Sequence, residues 1–157
     1  MDPIQSPIAL ILEDDEAFAE TLRTILKDLG LDSAWSRTVE EARVIVETRA
    51  VAIVIVDLEL GEHRGRHLLD DLATLPQAPP MLVVSGAADA AAIAKEFGLA
   101  CVKKPFELEM LAAAIAVTRG FEVKPGRRAR SGTLHAVSHD DPSELEPRPD
   151  TDPKKKG

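Results

Sequence analysis

Carboxylates, a hydroxyl and an amine stand at the ends of short apolar runs. Glu13-Asp14 follows residues 8–12, Asp57 follows 51–56, Ser85 ends 81–85, and Lys104 follows 99–103. If those runs are strands of one parallel sheet, their carboxyl ends share an edge and these groups share a crevice. Carboxylates gathered there repel one another, which raises a pKa or demands a counter-ion, and a hard divalent cation with oxygen ligands meets that demand. Mg2+ suits a site of one or two carboxylates, several waters and a phosphate. Lys104 would neutralise an anion beside Asp57, and the Ser85 hydroxyl would donate to it. The chemistry described is phosphoryl transfer to a carboxylate, with Asp57 as nucleophile and with the metal and Lys104 absorbing charge. Taken alone, Asp57 reads as a strand-terminating acid that caps the next turn; its company argues for more. LEDDE leaves the acidic pair open between Glu13-Asp14 and Asp14-Asp15, and Lys103 adjoins Lys104.

The elements that must position these groups follow from periodicity. VAIVIV (51–56) carries five β-branched residues in an unbroken apolar run, the mark of a central parallel strand buried on both faces. IALIL (8–12) and MLVVS (81–85) are similar, 32–36 is a weaker strand candidate, and 99–103 is the last strand. Phe18, Leu22, Ile25, Leu26 and Leu29 recur at helical spacing and stop at Gly30. Thr38 with Glu41 three positions later predicts a capping box opening a helix to about Thr48, with Val39, Ala42, Ile45 and Val46 inward. Further helices are predicted over about 65–74, 88–97 and 107–118. Five strands alternating with five helices predict an α/β three-layer sandwich around a parallel sheet.

Composition narrows the function classes. The single cysteine, Cys101, excludes an internal disulfide, no apolar run approaches membrane-spanning length, and no charged-then-apolar leader precedes the first strand. A cytoplasmic protein without a membrane partner is therefore expected. Residues 1–118 hold 10 Lys/Arg against 20 Asp/Glu, and 119–157 hold 9 against 7. An acidic globular part argues against a nucleic-acid groove. The boundaries predicted are a lead over 1–7, a folded domain over 8–118 and a disordered charged tail over 119–157, where five of the eleven prolines fall. A basic cluster at Lys124, Arg127, Arg128 and Arg130 reads as part of that solvated tail, and His63 with His67 as a solvated pair rather than metal ligands. Trp35 fits either a sheet edge or a partner surface.

From Ile8 to Thr118 the chain resembles the receiver domain of two-component response regulators. The resemblance rests on Glu13-Asp14 in LEDDE, Asp57 in VDLELGEHRG, Ser85 in VVSGA and Lys104 in KKPF, four motifs in order at the strand ends. It implies a flavodoxin-like (βα)5 fold with strand order 2-1-3-4-5. It places the acidic pair at Glu13-Asp14, after Ile11-Leu12, with Asp14 on Mg2+ directly and Glu13 through water, and leaves Asp15 and Glu16 to favour the helix N-terminus. Asp57 is then the phosphoacceptor and a metal ligand, the Glu59 backbone carbonyl a further ligand, and Ser85 and Lys104 the groups that act on the phosphoryl. The Lys104-Pro105 bond is expected to be cis. The implied partners are a histidine kinase or histidine phosphotransfer protein and a downstream protein. The resemblance is to stand-alone regulators, phosphoacceptors rather than true enzymes.

The sequence departs from that family at identifiable places. Cys101 stands where receivers usually carry an aromatic, and the chain has no tyrosine. Gly61 replaces a proline, which should loosen the loop after Asp57. The segment between Ser85 and Lys104 is short, and Glu59 occupies a position that in the family tunes the lifetime of the acyl phosphate. Two other classes compete: a degenerate receiver that binds partners without phosphorylation, and an aspartyl-phosphate hydrolase. The hydrolases carry Asp-x-Asp on the first strand, whereas here the nucleophile strand is third and reads Asp57-Leu58-Glu59.

Overall fold

The computed structural model describes residues 6–61 and 64–120. In chain order the elements are β1 (Ile8–Leu12), α1 (Glu16–Asp28), β2 (Ser33–Ser36), α2 (Val39–Thr48), β3 (Val51–Val56), α3 (Arg64–Ala73), β4 (Met81–Ser85), α4 (Ala90–Glu96), β5 (Ala100–Lys103) and α5 (Leu108–Thr118). All strands are parallel, in the order β2-β1-β3-β4-β5, so the flavodoxin-like (βα)5 sandwich expected from the sequence is the fold observed.

Alternation along the strands builds two cores. Leu10, Leu12, Val54, Val56 and Val83 face one side of the sheet and pack with Ala42, Leu68, Leu72 and Ile93 of α2, α3 and α4. Ala9, Ile11, Ile53, Ile55, Leu82 and Val84 face the other and pack with Leu22, Leu26, Leu111 and Ile115 of α1 and α5. A strand covered on both faces has no polar positions to offer, which is why β1 and β4 read as unbroken apolar runs.

Helix starts follow their capping chemistry. Asp15 caps α1, its carboxylate accepting from the Phe18 amide (3.2 Å). Thr38 caps α2, accepting from the Glu41 amide (3.2 Å). The reciprocal half of the predicted capping box falls one residue early: Glu41 accepts from the Arg37 amide (3.1 Å), which lies past the last rung of the sheet, not from that of Thr38. Thr38→Ala is expected to lower stability by about 1 kcal/mol, read as a lower urea midpoint at unchanged slope. The fourth helix is short, seven residues, and begins two positions later than predicted, after Asp89, whose side chain makes no capping hydrogen bond. Ile45 and Val46 are half-buried rather than buried, since α2 covers the outer part of the sheet.

Asp57 lies one residue beyond β3, and its amide extends the ladder to the Leu12 carbonyl (3.0 Å). The chain goes from β1 to one side through β2 and to the other through β3, so the crevice between the ends of β1 and β3 is the topological switch point. α5 ends at Thr118. The predicted tail from 121 on, with its basic cluster, and His63 of the histidine pair lie outside the described residues.

Candidate functional site

Register brings the acids together. Leu12 pairs with Val56, so Glu13 and Asp57 leave adjacent strands side by side. One carboxylate oxygen from each of Glu13, Asp14 and Asp57 lies within 4.8 Å of the others. Glu13 and Asp57 are 2% and 4% exposed, while Asp14 faces solvent. Asp15 is not part of this group, because its carboxylate is engaged at the α1 cap.

Lys104 arrives from the far side. The Ser85–Lys103 register and the bond from the Lys104 amide to the Ser85 carbonyl (3.1 Å) set its backbone beside β4, and the Lys104-Pro105 bond is cis. Its Nζ donates to Glu13 Oε2 (2.9 Å) and Asp57 Oδ2 (3.0 Å). The other oxygens are also held: Asp57 Oδ1 accepts from the Glu59 amide (2.9 Å), and Glu13 Oε1 from that of Asp15 (3.1 Å). Ser85 is fully buried, and its oxygen accepts from the Ala87 amide (3.2 Å). That bond leaves the hydroxyl proton free to be donated elsewhere.

Charge in the crevice is unbalanced, with three carboxylates against one ammonium. Burial pushes the Glu13 carboxyl up to about 7; Asp57 adds to the rise and Lys104 opposes it. Burial alone would lower the Lys104 ammonium, but its bonds to Glu13 and the charge of Asp57 outweigh burial and raise it. An all-oxygen donor set with excess negative charge suits a hard divalent cation.

Lys104→Met should therefore destabilise the chain in chelator, by about 2 kcal/mol at neutral pH, since two buried carboxylates lose their cation while Glu13 retains partial escape by protonation. Glu13 titrates near 7 in the folded chain against an ordinary 4.5. It thus favours the metal-free fold below 4.5 and loses that contribution as pH rises through 7. Without Lys104 the window extends upward, so the deficit in urea stability should widen at alkaline pH and shrink on acidification.

Some groups that shape the site carry no motif. Trp35, half-buried on the edge strand β2, donates its indole N–H to the Glu13 carbonyl (2.8 Å), with the Arg37 guanidinium 4.6 Å from its ring centre. Of the two places open to it, this is the sheet edge. Phe18 presents its ring to Lys104 Nζ at 3.8 Å. Gly65, in the first turn of α3, passes so close to the Asp57 carbonyl that no side chain fits. A glycine at a helix start, where it lowers helix propensity, was the available signal for that approach.

The family-specific departures also have a place. Gly61 takes a positive φ of 31°. Cys101 is half-buried at the margin of the core on the α2, α3 and α4 side of the sheet, and burial raises its thiol pKa with Lys103 opposing. The Glu59 carboxylate reaches over Gly86, where an added Cβ would meet Oε2 at 3.1 Å.

Among the described residues no helix is long and apolar enough to cross a membrane. The response regulator receiver domain model matches residues 9–116. The photosynthetic apparatus regulatory protein RegA of Rhodovulum sulfidophilum is 26% identical over 114 residues, covering 71% of this chain and 62% of that protein. RegA of Rhodobacter capsulatus is 29% identical over 77 residues, covering 49% and 42%. The chain thus spans about two fifths to three fifths of these relatives. A CheY-like receiver domain from Methylobacillus flagellatus superposes with a TM-score of 0.63 at 28% identity, covering 71% of this chain and 98% of that one. A response regulator from Burkholderia pseudomallei, with a phosphorylated aspartic acid and a calcium ion, gives 0.63 at 27%, covering 73% and 69%. With acids and a lysine converging at the switch point of such a sheet, these matches have one reading: the chain belongs to the response regulator receiver domains, the phosphorelay modules of two-component systems.

Proposed function

We propose that this chain is a phosphorylation switch in which Asp57 accepts a phosphoryl group from a histidine kinase or histidine phosphotransfer protein and the signal leaves through a protein contact. The observation that carries the reading is the convergence of Glu13, Asp14 and Asp57 within 4.8 Å, with Lys104 bonded to two of them. The phosphorylated aspartic acid of the Burkholderia relative supports it by analogy.

In the transfer an Asp57 carboxylate oxygen attacks phosphorus, a P–O bond forms, and the P–N bond to the donor imidazole breaks with its electron pair leaving on nitrogen. The Glu59 amide fixes the attacking carboxylate through Oδ1. Lys104 places positive charge beside the negative phosphoryl oxygens, and the Ser85 hydroxyl donates to one of them. Glu13, Asp14, Asp57 and the Glu59 backbone carbonyl would hold Mg2+, which when bound neutralises charge on the transferring group. The chain is a phosphoacceptor rather than a true enzyme, working in the cytoplasm without a membrane or nucleic-acid partner. Residues 8–118 act as the receiver.

The test is intact mass after exposure to a small phosphodonor or a cognate kinase. A gain of one phosphoryl group with Mg2+, and none in chelator, is the expected result. No gain from either donor would leave a receiver-shaped binding module that works without phosphorylation.

A further inference from the structure

An ammonium has three N–H groups, and the hydrogen bonds to Glu13 and Asp57 use two. The third side of the seat is aromatic. Phe18, on the first turn of α1, puts its ring centre 3.8 Å from Lys104 Nζ. Phe106, two residues after Lys104, meets that ring edge to face with centres 5.7 Å apart and planes at 72°. The Phe18 amide is tied to Asp15, so the aromatic and the acidic loop are fixed by the same helix start.

We propose that Phe18 is a positioning residue for phosphoryl transfer, retaining the Lys104 ammonium in the crevice while its carboxylate partners turn to other charges. This inference rests on the reading of Asp57 as phosphoacceptor. In the resting chain two charge-assisted bonds hold Lys104, and the ring adds little to its placement. As Asp57 forms its bond to phosphorus, its charge leaves the carboxylate and the bond to Lys104 weakens. The lysine stem is flexible and its side chain is 22% exposed, so an unsupported ammonium swings toward water. The ring face attracts a cation without competing for the phosphoryl oxygens. Its contribution is therefore larger during transfer than at rest, the condition under which a contact raises a rate.

The experiment compares the full chain with Phe18→Leu, Phe18→Tyr and pentafluorophenylalanine at position 18. Leucine keeps apolar volume without a ring, tyrosine keeps the ring, and fluorination keeps the shape while draining the ring face of negative charge. With a small phosphodonor and Mg2+, phosphorylation by intact mass should slow about tenfold in the leucine and fluorinated forms and change by no more than about twofold in tyrosine. Melting temperatures of the fluorinated and unaltered chains should agree. In metal-free protein the Lys104 ε-methylene protons should carry a ring-current shift, present with phenylalanine and tyrosine and lost with leucine. An unaltered rate in the fluorinated form, or no ring-current shift in the unaltered chain, overturns the proposal and leaves Phe18 a packing residue, with the phosphoacceptor reading intact. An unaltered chain that takes no phosphoryl group overturns that reading and this role together, whatever the shift shows.

Discussion

Asp57→Asn should take up no phosphoryl group under conditions that fully modify the unaltered chain, and its fold should survive. An amide oxygen is a poor nucleophile, and no other carboxylate stands in the same frame: Asp14 is exposed and Glu13 keeps both oxygens bonded to Asp15 and Lys104. Asparagine can keep the bond from the Glu59 amide through Oδ1, and Lys104 keeps Glu13, so the loop retains its main anchors. Loss of the Lys104 bond and relief of the repulsion that raises the Glu13 pKa act in opposite directions. Stability should then change by about 1 kcal/mol or less. Metal binding should weaken as well, since one of three gathered carboxylates is gone. The chain's single tryptophan is bonded to the Glu13 carbonyl, so its fluorescence provides the titration signal. Undiminished phosphorylation of Asp57→Asn would move the acceptor elsewhere and remove the basis for the proposed function.

How far the site was legible depends on what kind of contact makes it. The ends of β1 and β4 were readable to the residue because strands covered on both faces leave no polar position until they stop. Alternating strands and helices imply a parallel sheet whose strand ends share one edge, the family resemblance supplied the order 2-1-3-4-5, and Glu13, Asp14, Asp57 and Lys104 do meet there. Ser85 reaches the same edge, but its hydrogen bond to Ala87 follows from the local turn and is invisible in the spacing. Phe18 read only as one member of a helical apolar stripe, since nothing local distinguishes a ring packed on the core from one turned to an ammonium. The same holds for Trp35, whose indole reaches across 22 positions to Glu13. Helix α4 was overextended because alanines favour helix on both sides of its start, and no side-chain cap marks where the helix begins.

Gly65→Ala should destabilise the chain by about 3 kcal/mol or more and sharply reduce phosphorylation, against what helix propensity predicts. In the first turn of α3, alanine would ordinarily gain up to about 1 kcal/mol over glycine. Here a Cβ would lie 2.1 Å from the Asp57 carbonyl oxygen and 2.9 Å from both the Asp57 carbonyl carbon and the Leu58 Cα. All three are backbone atoms, so no rotamer change relieves the overlap. Either α3 moves away from the sheet, uncovering Leu68, Leu69 and Leu72, or the Asp57–Leu58 backbone shifts and takes the carboxylate out of the geometry set by Glu59 and Lys104. The first outcome appears in urea unfolding and the second in phosphorylation rate, and both should be seen. Gly86→Ala is the matched contrast, because its Cβ meets only Glu59 Oε2 at 3.1 Å, the far end of a flexible side chain. It should leave stability within about 0.5 kcal/mol, with Glu59 moving aside. If both glycines tolerated alanine equally, close approach would not be what keeps glycine at 65; a loss confined to Gly65→Ala would show that α3 starts with glycine so that its backbone can lie against the phosphoacceptor loop.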